Sequence, residues 1–323
     1  MELKLLQADP LLLLLAVALD GTLGDPVYRL HPIRLIGAAL AQIEKGLRRL
    51  HIDGYVGGCL LFVALAGLSV GGISAVVLAL GHLHNHLAWV FHLFMIYSLI
   101  ALRDLIKHGL EIDRAAHSGD LPGARRAASM LVGRDTGPMD AMACRRAGME
   151  SLSENAVDGF ISPIFWYALL GLPGLVLFKV ISTMDSMVGY KNSHYIHFGW
   201  CGARLDDLFN WLPARMSCVL VVLVALFVPG ASAYKALSVG WEQHDLVPGP
   251  NSGWSEAAVA GALQCRLIGP IWQDGVLVTE VWLGDPGDRE GGLDEDLRRT
   301  SVFIAVVCLI FVGAAAFCIG YGR

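Results

Sequence analysis

Six short clusters of polar residues interrupt an otherwise apolar sequence, and the first of them is DGTLGDP. In this cluster Asp20 and Asp25 lie on either side of a glycine-bearing turn. Two carboxylates on such a turn suit a hard cation or an ammonium group. The alternative is a plain helix end made of glycine, aspartate and proline.

The second cluster is a loop in which Arg134, Asp135 and Thr136 follow one another before a glycine. Arginine and a hydroxyl group in a flexible loop are suited to holding a phosphate group. An ordinary turn with a helix cap is the alternative for this loop, so its sequence alone leaves both interpretations open.

The third cluster places Glu150, Glu154 and Asp158 four residues apart. On a helix this spacing brings all three carboxylates to one face, where they repel each other unless a cation or a basic group lies among them. A solvated face would carry interspersed lysines, yet residues 147–177 contain no Lys or Arg. The pattern favours Mg²⁺, which prefers one or two carboxylates together with phosphate oxygens and waters.

Three further clusters follow along the chain. They contain Asp185, Lys191 and Asn192, then Arg204, Asp206 and Asp207, and finally Asn251. The fifth cluster also fits an interfacial helix with a Trp anchor, and the sixth fits a loop running into a capped helix. Neither a Walker-type sequence nor G-x-G-x-x-G occurs, which excludes a P-loop and a Rossmann turn as the nucleotide site.

The composition shows what kind of chain must position these clusters. Of 323 residues, 55% are hydrophobic and only 16% are charged, against about 25% in ordinary soluble domains. This composition excludes a disordered chain and favours a protein that spans a membrane several times. The formal net charge of −5 argues against a nucleic-acid partner, which would require a basic face.

Several apolar runs are candidates for membrane helices. Residues 56–80 and 301–320 contain no charged side chain and are long enough to cross about 30 Å of hydrocarbon. Residues 87–102 and 217–230 are shorter and need their flanks to span. Residues 160–182 are broken by Gly-Leu-Pro-Gly, so they form either one kinked span or a re-entrant helical hairpin.

The sequence therefore predicts an all-α, polytopic membrane protein with about four to six membrane-embedded helices and cytoplasmic helical loops. Strand signals are weak. We expect a single integral membrane domain over residues 1–323, in which the polar segments 103–158 and 241–299 form the cytoplasmic part.

Lysine and arginine are distributed asymmetrically along the chain. They are frequent within 29–49 and 103–146 but absent from 83–88, between two apolar runs. The positive-inside rule places both basic flanks in the cytoplasm. We expect a multi-pass protein of the inner membrane with its active site on the cytoplasmic side.

Taken together and in this order, the clusters resemble the adenosylcobinamide-phosphate synthase family of cobalamin biosynthesis. The resemblance lies in DGTLGDP with HPIRLIG, GRDTGPMD, ESLSENAVDGFISPIFW, TMDSMVGYKN, FGWCGARLDDLFNWLPAR and PNSGWSEAAVAGAL, and it covers roughly residues 10–270. It implies an integral membrane carbon–nitrogen ligase that joins adenosylcobyric acid to (R)-1-amino-2-propanol O-phosphate. ATP and Mg²⁺ are the expected cofactors.

Residue chemistry then suggests a role for each candidate. The predicted catalytic residues are Asp20, Asp25, Glu154 and Asp185. The predicted cofactor-binding residues are Arg134, Asp135, Thr136, Lys191, Asn192, Arg204 and Asn251. The predicted metal ligands are Glu150, Glu154, Asp158, Asp206 and Asp207.

The expected partners are the corrinoid substrate, aminopropanol phosphate, membrane lipid and other membrane enzymes of cobalamin assembly. Two other classes compete with an enzyme. Broken helices and intramembrane carboxylates also occur in ion-coupled transporters, although no inverted repeat is present here. A structural subunit of a corrinoid-assembly complex is the third alternative, but it leaves the carboxylates unexplained.

Overall fold

The computed structural model describes residues 2–26 and 28–322 and is 71% helical, which confirms the predicted all-α class. After a 3₁₀-helix at Glu2–Leu5, the α-helices up to the middle of the chain are α1 (Pro10–Leu23), α2 (Pro32–Arg49), α3 (Tyr55–Leu83), α4 (Asn85–Leu99), α5 (Leu102–His117), α6 (Leu121–Ser129) and α7 (Ala141–Ala156). The later elements are a π-helical turn (Val157–Ile161), α8 (Ser162–Val188), α9 (Trp200–Ala225), α10 (Ala233–Gln243), α11 (Ser252–Leu263), β1 (Cys265–Gln273), β2 (Val276–Leu283), β3 (Arg289–Glu290) and α12 (Asp296–Tyr321).

Five helical segments of the described chain are long and apolar enough to cross a membrane. They are Tyr55–Leu83, Asn85–His117, Ala141–Val188, Trp200–Ala225 and Asp296–Tyr321. In the first of them only 17% of the most apolar stretch is buried within the protein. Large apolar side chains exposed over such a length are suited to lipid contact, so the expected number of membrane-embedded helices is confirmed.

The chain forms two compact units. The first unit contains Met1–Ala101, Ser162–Asn210 and Val312–Arg323, and the second contains Leu102–Ile161 and Trp211–Phe311. In the first unit, α2, α3 and α8 pack around a common apolar core. Its buried members are Ile36, Leu40, Leu61, Leu65, Val180, Met184, Val188 and Phe198.

Helix α8 is interrupted at Gly171, whose φ of 67° is not helical. A Cβ atom on Gly174 would lie 2.4 Å from the carbonyl oxygen of Trp166, eight residues earlier, so the two arms fold sharply against each other. The open ends of the two arms agree with this. Ser162, at the start of the first arm, donates a hydrogen bond to Asn210 Oδ1 (2.5 Å), while Asp185 on the second arm interacts electrostatically with Asp206. Residues 162–188 therefore form a helical hairpin, one of the two arrangements that the sequence left open.

The turn of this hairpin has no room for a side chain. A Cβ atom on Gly171 would lie 2.1 Å from the backbone oxygen of Leu6, which accepts a hydrogen bond from the N–H of Leu172 (2.9 Å). We expect Gly171→Ala to lower the free energy of unfolding by about 1–3 kcal/mol, because both the positive φ and the contact become strained. Thermal unfolding in detergent measures this loss. The control is Gly67→Ala, whose Cβ meets no atom within 4 Å; equal melting temperatures for the two variants would contradict the expectation.

The second unit combines helices with a small sheet. Helix α7 packs against α5, α6, α11 and β1. The sheet order is β2-β1-β3, with β1 and β2 antiparallel and β3 parallel to β1. This sheet differs from the helical loop expected over 241–299. The local signal is Asp274-Gly275, both at positive φ, between two runs rich in β-branched and aromatic residues, which is a typical hairpin turn.

Candidate active site

A cluster of carboxylates lies inside the second unit, and α7 provides two of them. Glu150 and Glu154 are on α7, which begins with Asp140 accepting a hydrogen bond from the N–H of Ala143 (2.7 Å). Asp158 follows on the π-helical turn, a distortion that is frequent at functional sites. The three carboxylates that the sequence spacing predicted therefore lie on α7 and on the π-helical turn that directly follows it.

Glu256 is a fourth carboxylate of this cluster, and sequence reasoning did not identify it. Glu256 is only 3% exposed within α11, a helix in which every residue from Gly253 to Leu263 is buried. Burial, and next the negative charges of Glu154 and Glu150, raise the pKa of Glu256 well above its usual value. Asp158 adds to this effect and Arg134 opposes it. A carboxyl group in this environment needs a proton or a cation.

Arg134 is the cationic side chain that contacts this cluster most directly. Its Nη2 donates a hydrogen bond to Glu150 Oε2 (2.5 Å), and its side chain is 9% exposed. The buried Nε of Arg134 has no hydrogen-bond partner among the described residues. An unsatisfied guanidinium donor beside several carboxylates is suited to an anionic ligand that brings its own counter-cation, such as a metal–phosphate complex.

The neighbours of Arg134 in the sequence have structural contacts. The N–H of Asp135 donates to the carbonyl of Trp272 (2.9 Å), and Asp135 Oδ2 accepts from the N–H of Gly275 (2.8 Å). These bonds attach the loop of Arg134 to the β1–β2 hairpin. Thr136 lies in the same loop. Asn251, at the start of α11, accepts a weak hydrogen bond from Arg215 Nη1 (3.5 Å).

The first unit holds a second group of predicted site residues. Asp206 Oδ2 accepts a hydrogen bond from Asn210 Nδ2 (3.0 Å), and Asn210 in turn accepts from the hydroxyl of Ser162. Asp185 and Asp207 add negative charge around Asp206. These two hydrogen bonds connect the start of α8 to α9.

Basic side chains lie beside this second group. Arg204 Nη1 is 3.5 Å from Asp207 Oδ2, and Lys191 also interacts electrostatically with Asp207. Asn192 accepts hydrogen bonds from the N–H groups of His194 and Tyr195 (both 3.0 Å), so its side chain shapes the turn after α8.

The DGTLGDP segment also belongs to the first unit. Asp20 is 1% exposed near the end of α1, and Asp25 Oδ1 lies 3.1 Å from His31 Nε2. Tyr97 donates a hydrogen bond to the carbonyl of Gly24 (2.6 Å). These contacts fix the turn between the two carboxylates.

The donor chemistry of the α7–α11 cluster fits Mg²⁺ in one specific way. Within the described part of the chain, no group of three or more His, Cys, Asp or Glu side chains is arranged to hold a metal ion. Mg²⁺ is commonly held by one or two carboxylates, with substrate phosphates and waters completing the shell. The cluster suits this mode, and Arg134 Nε remains available for a phosphate oxygen.

Comparison with known proteins gives the family. The family model described as CobD/Cbib protein matches residues 13–304. "Cobalamin biosynthesis protein CobD" of Rhizobium meliloti (strain 1021) is 38% identical over 318 residues, covering 95% of this chain and 96% of that protein. The protein of the same name from Photorhabdus laumondii is 40% identical over 273 residues, covering 84% and 85%. That of Klebsiella pneumoniae is 37% identical over 310 residues, covering 94% and 96%.

No solved structure matches the chain. The resemblance inferred from the six motifs is confirmed by the family model and by the relatives, both of which extend over most of the sequence. The chain therefore belongs to the CobD/Cbib protein family.

Proposed function

We propose that this protein is a membrane enzyme of cobalamin biosynthesis that forms an amide bond at the expense of ATP. It would join adenosylcobyric acid to (R)-1-amino-2-propanol O-phosphate and release adenosylcobinamide phosphate. Family membership supports a role in cobalamin biosynthesis and a corrinoid substrate. The observation that carries the ligase proposal is the buried carboxylate cluster of α7 and α11, with the unsatisfied Nε of Arg134 beside it.

The chemistry requires activation of a carboxylate, which is a poor acyl donor. A carboxylate oxygen of the corrinoid attacks the γ-phosphorus of ATP, so that an acyl phosphate forms and ADP leaves. The amine nitrogen then attacks the acyl carbon, inorganic phosphate leaves, and the nitrogen loses a proton to a base. When bound, Mg²⁺ supplies charge neutralisation for the phosphoryl group.

Residues of the second unit suit the phosphoryl step. Arg134 Nε would donate to a phosphoryl oxygen, because it is the buried guanidinium donor left without a partner among the described residues near this cluster. Glu150, Glu154 and Asp158 are the proposed metal ligands of this unit, of which one or two at a time would bind Mg²⁺. Glu256 is proposed to bind the ammonium group of the amine substrate, whose positive charge would favour the ionised form of this carboxyl group.

Residues of the first unit are assigned by their chemistry. Lys191 and Arg204 are proposed phosphate contacts, and Asp206 and Asp207 are proposed metal ligands. Asp20, Asp25 and Asp185 are proposed to bind the amine or to accept its proton. Asn192 is proposed to shape the turn beside Lys191. In the second unit, Asp135, Thr136 and Asn251 are proposed to shape the loops near the nucleotide.

The side of the membrane to which the site opens follows from the location of ATP in the cell. Because ATP is cytoplasmic, we propose an inner-membrane protein whose site opens to the cytoplasm, in agreement with the basic flanks of the apolar runs.

A reconstitution experiment tests the reaction. The detergent-purified chain is incubated with adenosylcobyric acid, aminopropanol phosphate, ATP and Mg²⁺, and the products are separated by chromatography and weighed by mass spectrometry. We expect the amide product only when every component is present, and no product after chelation of Mg²⁺. Corrinoid movement across proteoliposomes without amide formation would instead favour a transporter and contradict the proposal.

A further inference from the structure

A large cavity lies in the first unit, at the turn of the α8 hairpin. Its volume is about 1240 Å³, and the connection between α3 and α4, the chain before α1 and the end of α12 also line it. Asp185 lies near the open end of the hairpin, which is opposite the turn at Gly171. The cavity is thus separate, within this unit, from the residues assigned above to the reaction.

His92 is a buried polar residue of the cavity lining. The residue is 2% exposed, and its Nδ1 is 2.9 Å from the carbonyl oxygen of Leu5. A carbonyl oxygen only accepts, so Nδ1 carries the proton and Nε2 of the neutral ring is an acceptor. Nε2 is buried and has no hydrogen-bond partner in the described chain. A ligand that fits this position must donate a hydrogen bond.

Two further lining residues, Lys4 and Asp9, carry opposite charges. Lys4 is exposed at the mouth of the cavity, where it provides a positive charge. Asp9 also lines the cavity, and its Oδ1 accepts hydrogen bonds from the N–H groups of Leu11 (2.9 Å) and Leu12 (3.0 Å). The carboxylate charge of Asp9 therefore lies on the same lining as an acceptor nitrogen and an ammonium group. This combination is complementary to a zwitterion that contains both a phosphate and a primary amine.

The rim of the cavity is apolar and exposed. Leu169 and Leu170 of the hairpin line the cavity and are 59% and 54% exposed, and Leu83, which follows the lining residue His82, is 76% exposed. In a chain with several membrane helices, such side chains contact acyl chains. A ligand with a polar head and an apolar tail matches the cavity and its rim together.

We propose that this cavity binds a membrane phospholipid whose phosphate is esterified to a primary amino alcohol. Lys4 contacts the phosphate, and the ammonium group donates to His92 Nε2 close to the charge of Asp9. The acyl chains extend along the exposed leucines. This site is independent of the proposed reaction.

Lipid retention and thermal stability test this proposal without measuring activity. The purified protein is titrated with phosphatidylethanolamine or with phosphatidylcholine of the same acyl chains, whose three N-methyl groups remove every N–H donor. We expect native mass spectrometry to show one phosphatidylethanolamine retained, about tenfold more tightly than phosphatidylcholine, and a rise in melting temperature for the first lipid only. Equal retention of the two lipids would overturn the proposal.

Two variants and one control localise the effect. His92→Phe keeps a ring of similar size without the acceptor, and it should remove the preference between the two lipids. Lys4→Gln at the exposed mouth should weaken retention even if His92→Phe does not fold, whereas Lys107→Gln, on the exposed face of α5, should change nothing. Lipid retention that Lys4→Gln leaves unchanged, or a lipid preference that persists in a folded His92→Phe, contradicts the assignment. Free O-phosphoethanolamine that binds as tightly as the lipid contradicts the lipid as the source of the head group.

Discussion

Replacing Glu256 with Gln is expected to lower kcat by about 100-fold or more without lowering thermal stability. The substitution keeps the shape of the buried side chain but prevents it from ionising beside Glu154, Glu150 and Asp158. The carboxylate that would form when a cationic substrate binds is then lost, while the free protein no longer contains a buried group that is destabilising when it ionises. Steady-state turnover and thermal unfolding of the same preparation measure the two effects.

The pH dependence of stability follows from the same residue. Burial raises the pKa of Glu256 in the folded state, whereas the same carboxyl group in the unfolded chain has its ordinary pKa of about 4.3. At a pH between these two pKa values, the folded protein keeps a proton that the unfolded chain has lost. The contribution of Glu256 to the free energy of unfolding therefore decreases as the pH rises from about 4.3 through the raised pKa. We expect Glu256→Gln to remove this decrease, so that the variant melts at a higher temperature than the unmodified protein at pH 8.

Glu242 provides the matched control, because it is an exposed glutamate of α10 in the same unit. Glu242→Gln should leave both kcat and the pH dependence of unfolding unchanged. If Glu256→Gln retained kcat within twofold of the unmodified protein, the role of Glu256 in the site would be wrong.

Replacing Arg134 with Gln should be the most disruptive single change in the second unit. It removes the hydrogen bond to Glu150 and leaves that largely buried carboxylate without its cation, which costs about 3–5 kcal/mol of stability. It also removes the unsatisfied Nε donor, so we expect kcat to fall about 100-fold and KM for ATP to rise. Calorimetry and initial rates over a range of ATP concentrations separate the two losses.

A double variant distinguishes catalysis from folding. Arg134→Gln combined with Glu150→Gln removes both charges, so most of the stability should return because no unpaired charge remains buried. Activity should not return. Arg126→Gln is the control, since Arg126 is an exposed arginine of α6 whose nearest carboxylate, on Asp120, is 3.9 Å away. Recovery of turnover in the double variant would show that Arg134 has only a structural role.

Local patterns predicted part of this site correctly. Apolar runs identified the membrane helices, because a helix that faces lipid must be apolar over about 20 residues. The four-residue spacing placed Glu150 and Glu154 on one face of α7, since side chains four residues apart project from the same side. The roles of these carboxylates in the reaction stay predictions.

Other features depended on contacts between distant segments. Glu256 is the lone acidic residue of α11 within 252–263, so no spacing pattern marks it, and its carboxylate neighbours lie about a hundred residues earlier. The signal available in the sequence was the free energy that it costs to bury a charged side chain in an otherwise apolar helix. The fold-back of α8 brings Gly174 close to the carbonyl group of Trp166, and no periodicity shows this contact. The Asp274-Gly275 turn and the β-branched and aromatic runs on either side of it are visible in the sequence, but the composition of the whole chain favours helices.

An isotope-transfer experiment tests the central claim, that the chain activates a corrinoid carboxylate with ATP before the amide bond forms. Adenosylcobyric acid labelled with ¹⁸O in the reacting carboxylate is incubated with the purified protein, Mg²⁺, ATP and aminopropanol phosphate, and the phosphate released is analysed by mass spectrometry. We expect one ¹⁸O atom in each inorganic phosphate formed, together with ADP and the amide. Amide formation with unlabelled phosphate, or without any consumption of ATP, would contradict it.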